Sequence, residues 1–216
     1  MFNVIQHLSL KMNIQLENIS KRYGFEWIFK QVNYQFEANK KYAIVGPNGS
    51  GKSTLLKIIS GGLVPTSGEI HFSIIHQRVT DLEQASKEIA FAAPYISLLD
   101  DFNLEEMYTF HSSFKKMKVD SLQQFLEIAE LVPHQKKYIK NFSSGMRQRL
   151  KLAFAFLTES QTLLLDEPTS NFDSKAIDWY LQLIEKYTTD RLVIIGSNQE
   201  YEYSFCADNI AVSEYK

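Results

Sequence analysis

Gly46-Pro47-Asn48-Gly49-Ser50-Gly51-Lys52-Ser53-Thr54 is the stretch whose reading decides the fold. It fits G-x-x-x-x-G-K-[ST] and stands where an apolar run, YAIV at residues 42–45, gives way to the helical pattern STLLKIIS at 53–60. Strand, glycine-rich turn and helix in that order predict a phosphate loop. The glycines remove side chains so that successive backbone N–H groups can curl around phosphate oxygens, while the new helix offers free amides and its positive dipole end. Lys52 adds a positive charge for the β and γ phosphates, and Ser53 a hydroxyl for Mg2+, which prefers hard oxygen ligands. A turn that caps a helix and binds nothing is the plainer reading. The rarity of the full pattern at random, and its strand-to-helix context, argue against it.

Working outward, two more apolar runs, TLLL at 162–165 and LVII at 192–195, read as strands buried on both faces of a parallel sheet. Residues 13–19 and 32–36 alternate apolar with polar, as half-buried antiparallel strands do. Between residues 100 and 158 the spacing turns helical, in LEEMYTFHSSF, SLQQFLEIAELV and MRQRLKLAFAFL. The expectation is an α/β fold: a P-loop NTPase core with a parallel sheet, an N-terminal antiparallel β layer and an inserted helical subdomain at about 100–158. Residues 12–216 form this one domain, and residues 1–11 read as an N-terminal extension, with Met1 and Met12 both open as the true start.

The run at 162–165 ends in Asp166-Glu167-Pro168, which puts two carboxylates at the C-terminal edge of an open sheet, where ligands collect. Asp166 suits a role in holding Mg2+, directly or through water. Glu167 suits orienting and partly deprotonating an attacking water. Taken alone, the pair reads as solvated strand-end carboxylates; beside the phosphate loop it reads as catalytic.

Composition narrows the remaining classes. With 44% hydrophobic and 22% charged residues in 216, the chain has enough apolar material for one substantial core. The formal charge of -2 gives no basic excess, so nucleic acid is not an expected partner. The single cysteine, Cys206, has no internal disulfide partner and reads as a small core residue. The most apolar stretch, residues 89–99, contains Pro94 and Tyr95 and falls far short of the about 20 residues that span a bilayer. MFNVIQHLSLK lacks the positive start of a secretory signal, so a cytoplasmic location is expected.

Between the two motifs lies Phe142-Ser143-Ser144-Gly145-Met146-Arg147-Gln148-Arg149-Leu150, which resembles the L-S-G-G-Q signature of ATP-binding cassette (ABC) ATPases. Thr169-Ser170-Asn171-Phe172-Asp173 looks like the family's D-loop, and Tyr23 is placed like the aromatic residue that stacks on adenine. The resemblance runs from about Met12 through nearly the whole chain. It implies ATP with Mg2+ as the bound nucleotide, and that Ser143, Ser144 and Gly145 face the γ-phosphate held by a second ABC ATPase subunit. Two ATPs would then be sandwiched head to tail in a homodimer or heterodimer. It also implies a separate membrane-spanning permease, received near residues 94–102 and the helical lobe, which would hold the chain at the inner face of the membrane.

Several positions depart from the family pattern. S-S-G-M stands where S-G-G-Q is usual, a form similar to that of cassettes serving exporter-type permeases. Asn198 occupies the place of the switch histidine that senses the γ-phosphate; it donates a hydrogen bond but carries no charge. The Q-loop glutamine is replaced by Pro94 or Tyr95, and Gln77 comes too early to serve. These changes predict slower hydrolysis with binding groups intact, and they keep a second reading open: a soluble ABC-type regulatory or assembly ATPase that moves no solute.

Overall fold

A computed structural model describes residues 11–74, 77–79 and 82–216. The expected extension, residues 1–11, lies outside the described residues except at its last position. In chain order the strands and helices are β1 (Met12–Tyr23), β2 (Glu26–Phe36), β3 (Lys41–Val45), α1 (Lys52–Ile59), β4 (Ser67–Ile74), β5 (Gln77–Val79), α2 (Leu82–Lys87) and β6 (Ile89–Ala92). There follow α3 (Leu104–Phe114), α4 (Leu122–Ile128), α5 (Ser144–Leu157), β7 (Thr162–Asp166), α6 (Ser174–Tyr187), β8 (Leu192–Ser197), α7 (Glu200–Tyr203) and β9 (Asp208–Ala211).

The strands form two sheets. An antiparallel sheet has the order β2-β1-β4-β5, and a parallel one the order β6-β7-β8-β3-β9. The α/β architecture with both layers is thus as the sequence predicts. Helix α1 begins a residue early, at Lys52, and α5 two residues early, at Ser144. The strands at 67–74 and 208–211 and the helix at 174–187 are additions to the sequence reading.

Strands β7 and β8 are buried along their whole length because helices cover both faces. Leu164 and Ile194 face one core with Leu55, Leu56 and Ile59 of α1, which the antiparallel layer closes through Ile14, Leu16 and Phe29. Leu163, Leu165, Val193 and Ile195 face a second core with Leu152 and Phe156 of α5 and Trp179, Tyr180 and Leu183 of α6. A third cluster, around Phe125, Leu126, Phe142 and Phe154, holds α3, α4 and α5 together. Asn103 and Glu106 form a reciprocal capping box on α3, and Ser143 and Asp173 accept the third amides of α5 and α6, those of Met146 and Ala176.

Helix α1 carries the phosphate loop, so what seats it on the sheet seats the loop. Leu56, fully buried, meets Gly196 of β8 so closely that a Cβ at residue 196 would lie 2.7 Å from Leu56 Cδ1. Leu56→Ala should destabilise the protein by about 2–5 kcal/mol through lost burial and a residual cavity. Denaturant unfolding checks this; a loss well under about 1 kcal/mol would mean that α1 is not packed on β8 as described.

Candidate nucleotide site

The order β7-β8-β3 puts three strand ends side by side: Val45 leads into the phosphate loop, Asp166 ends β7, and Ser197 ends β8 between them, with Val45 paired to Ser197 and Asp166 to Gly196. Residues distant in sequence therefore converge on one sheet edge. Gly46 and Gly51 adopt φ of 145° and 112°, which L side chains rarely adopt. A Cβ on Gly51 would also lie 2.6 Å from Ile28 Cγ2 of β2, so the loop lies directly against the antiparallel layer.

Lys52 is buried, and its Nζ donates to the Gly46 carbonyl at 2.8 Å and the Pro47 carbonyl at 3.2 Å. The ammonium is held by its own loop, over which Pro47, Asn48 and Gly49 stay exposed. Ser53 and Thr54 sit in the first turn of α1. Asp166 is 1% exposed, and neither of its carboxylate oxygens meets a donor at hydrogen-bond geometry. Burial pushes its pKa up; the nearby Ser53 and Tyr95 hydroxyls and the Lys52 ammonium partly oppose this, while Glu167 adds to it. A buried carboxylate without a donor, beside a serine hydroxyl, is a donor set of hard oxygens and fits Mg2+.

Glu167 is half-buried and takes the left-handed conformation, φ 43°, with its amide donating to the Gly196 carbonyl at 2.8 Å. It opens onto a cavity of about 360 Å3 shared with Asn48, Thr169, Asn198, Tyr201 and Glu202. Asn198 is exposed, and its Nδ2 donates to Asn48 Oδ1 of the phosphate loop at 3.2 Å. The structure thus brings Lys52, Ser53, Asp166, Glu167 and Asn198 to one edge.

Ser143 and Ser144 are exposed at the start of α5, where Ser143 Oγ accepts from Met146 N at 3.2 Å. A Cβ on Gly145 would lie 3.6 Å from the Asn171 carbonyl oxygen, so this turn touches residues 169–173 of the same chain. Tyr23 ends β1, half exposed, with Lys21 Nζ 5.3 Å from its ring centroid.

Two residues near the site were not assigned a role from the sequence. Tyr95, at the position read as a loss, faces Asp166, with Lys57 Nζ 3.8 Å from its ring centroid. Glu202 is buried beside Thr169 and Ser197. Tyr95 had a signal in its place just after β6; Glu202 lies in a four-residue helix too short to show a period.

A glycine loop on a helix N-terminus, a buried lysine and a donor-less carboxylate at one parallel-sheet edge define a P-loop nucleotide-binding protein. The chain belongs to the ABC transporter family, whose model matches residues 29–170, and is an ATP-binding cassette of that family. It is similar to the lantibiotic transport ATP-binding protein SrtF of Streptococcus pyogenes, with 31% identity over 185 residues, 86% of this chain and 79% of that one. It is also similar to the probable sulfate/thiosulfate import ATP-binding protein CysA of Chlorella vulgaris, with 33% identity, covering 76% of this chain and 70% of that one. Its fold is that of MJ0796, a bacterial ABC transporter cassette solved as a dimer: TM-score 0.78, 24% identity, 93% of this chain and 95% of that one.

An acid whose folded pKa is raised loses stability as pH climbs from the ordinary carboxylate range through that raised value. Asp166, left bare, therefore weakens the nucleotide-free protein near neutral pH. Asp166→Asn should raise the melting temperature there, by roughly 2–4 °C per kcal/mol relieved, and should flatten its fall with pH above the ordinary carboxylate range. A scanning-calorimetry series across pH decides the matter, and a lower melting temperature for the variant would contradict the description of Asp166.

Proposed function

We propose that this chain is the ATP-hydrolysing subunit of an ABC transporter, working as one half of an ATP-sandwiched cassette pair on a separate export-type permease. The observation that carries the reading is the convergence of Lys52, Ser53, Asp166 and Glu167 at one sheet edge, with Ser143 and Ser144 exposed elsewhere on the same chain. The amides of residues 46–54 and Lys52 would cradle the triphosphate, and Tyr23 would stack on adenine. Ser53 and Asp166 would hold Mg2+, which when bound neutralises charge on the β and γ phosphate oxygens.

Hydrolysis then needs a water in line with the γ-phosphate. Glu167 orients that water and accepts its proton as the water oxygen bonds to phosphorus and ADP leaves. Asn198, tied to Asn48, holds the third wall of the site as an uncharged donor. Ser143, Ser144 and Gly145 meet the γ-phosphate bound by the partner cassette, with the helix dipole of α5 behind them. ATP thereby joins two copies, and hydrolysis releases them; MJ0796, of the same fold, is itself a dimer.

The permease surface is read from exposed apolar groups beside the site. Tyr95 and Leu99 are exposed near residues 94–102, and Phe110 and Phe114 continue the patch along α3, with Phe102 edge-on to Phe110 at 5.8 Å. Among the described residues no helix is long and apolar enough to cross a membrane. Lys151 of α5 donates to the Pro94 carbonyl at 2.5 Å, and Tyr95 beside it faces Asp166. Movement at the patch would therefore reach both α5 and the Mg2+ carboxylate. The export direction rests on the S-S-G-M form of residues 143–146; the relatives' names include sulfate import and lantibiotic transport.

Glu167→Gln should lower Mg·ATP turnover about a hundredfold or more while leaving ATP binding intact, because the water loses its base and its orientation. The same variant should lengthen the life of the ATP-bound dimer, seen by size-exclusion chromatography with ATP and Mg2+. Turnover equal to wild type, measured with the permease present, would remove Glu167 from the mechanism.

A further inference from the structure

Just behind Glu167 lies a buried carboxylate that the mechanism above does not use. Glu202, on α7, is 2% exposed, yet both oxygens of its carboxyl group are hydrogen-bonded. Its Oε1 accepts from the Thr169 amide at 2.7 Å and from Thr169 Oγ1, and its Oε2 accepts from Ser197 Oγ. The donors are themselves held: Ser197 Oγ accepts from the Gln199 amide at 2.8 Å, and Thr169 Oγ1 pairs with the Tyr201 hydroxyl at 3.0 Å. The Tyr180 hydroxyl donates to the Glu202 carbonyl at 2.9 Å, so α6 fixes the backbone that presents the carboxylate. One of the three partners, the Thr169 amide, can only donate, and the two hydroxyls can turn to suit the carboxyl; burial pushes the pKa of Glu202 up, and these hydrogen bonds from Ser197 and Thr169 oppose that rise.

The two partners matter because of what adjoins them. Thr169 follows Glu167 by two residues, and Ser197 immediately precedes Asn198, which is tied to Asn48 of the phosphate loop. Glu167 itself holds a left-handed conformation that a non-glycine residue keeps only when its surroundings impose it. The Glu167 amide already reaches the Gly196 carbonyl. A second fastening, through Thr169 and Glu202 to Ser197, closes the turn against the end of β8.

We infer that Glu202 is a positioning residue for hydrolysis: its buried carboxylate fastens the turn that carries Glu167 to the strand end that carries Asn198, fixing the water-orienting acid relative to the phosphate loop. The inference rests on the reading of Glu167 given above. It predicts a change in the chemical step with nucleotide binding untouched, because the hydrogen bonds of the Glu202 carboxyl go to Thr169 and Ser197, and that of its carbonyl to Tyr180, and not to the phosphate loop or Lys52.

The test compares wild type with Glu202→Gln, which keeps the shape but replaces one accepting oxygen with an NH2 donor. Steady-state hydrolysis of Mg·ATP should show kcat reduced about tenfold or more, as expected for a misplaced catalytic group, with KM for ATP within about twofold. Amide hydrogen exchange should quicken at residues 167–172 and stay unchanged in α1 and β3. Unchanged kcat, or a loss of kcat matched by a general loss of protection, would overturn the inference in favour of a purely structural role. Should Glu202→Gln fail to fold, Ser197→Ala, which deletes one of the donors, must lower kcat at constant KM; unchanged kcat there is equally adverse. If wild type shows no turnover with its partners present, the functional reading falls by itself. The exchange data then still decide Glu202, unaltered exchange at 167–172 in the variant being the adverse result.

Discussion

Two buried charges of opposite sign face the same sheet edge, and the protein alone satisfies neither of them fully. Lys52 rests on two carbonyls of its own loop, and Asp166 has no donor at all at hydrogen-bond geometry. Burying such groups costs stability unless a partner arrives with the complementary charge. In the proposed function a triphosphate carrying a divalent cation would supply both halves at once: anionic oxygens for Lys52 and the loop amides, and a cation for Asp166. Burial raises the pKa of Asp166, the same cost seen from the carboxylate.

The frame that holds these charges in place is the parallel trio β7-β8-β3. Its strands are apolar on both sides because α1 covers one face and α5 and α6 the other. The sheet order then does the positioning: β8 separates the acidic pair from the phosphate loop by one strand, and its end offers Ser197 and Asn198 to both. Contacts across that end, from Asn48 to Asn198 and from Ser197 through Glu202 to Thr169, form a continuous tie from the loop to the turn after Glu167. On the other side Lys151 and Tyr95 link α5 and the exposed aromatic patch to Asp166. At the places where the family resemblance implies a histidine and a glutamine, Asn198 and Tyr95 have contacts of their own.

Much of this was legible in the sequence because the physics is local. The loop, its helix and the acidic pair each announce themselves within a few residues, and the double-sided apolar runs of β7 and β8 have no surface to alternate with. Helix α6 is legible on the same terms, through Ala176, Trp179, Tyr180, Leu183 and Ile184, and so is β4, through the alternation of Ile70, Phe72 and Ile74. Strand β9, four residues at a sheet edge, carries too short a pattern to declare itself. The roles of Glu202 and Tyr95 were beyond sequence reading for a different reason. Each is defined by partners far along the chain, Glu202 by Thr169 33 residues away, and only the strand order brings them together.

The account stands on the grip of the phosphate loop and its buried lysine on a triphosphate. Calorimetric titration of ATP with Mg2+ into wild type and Lys52→Ala tests it most directly. Tight binding by wild type and a loss of affinity of about tenfold or more in the variant is the predicted result, since a charge-assisted contact to phosphate is worth about 1.5–3 kcal/mol. Equal affinities, or no binding by wild type at millimolar nucleotide, would contradict it.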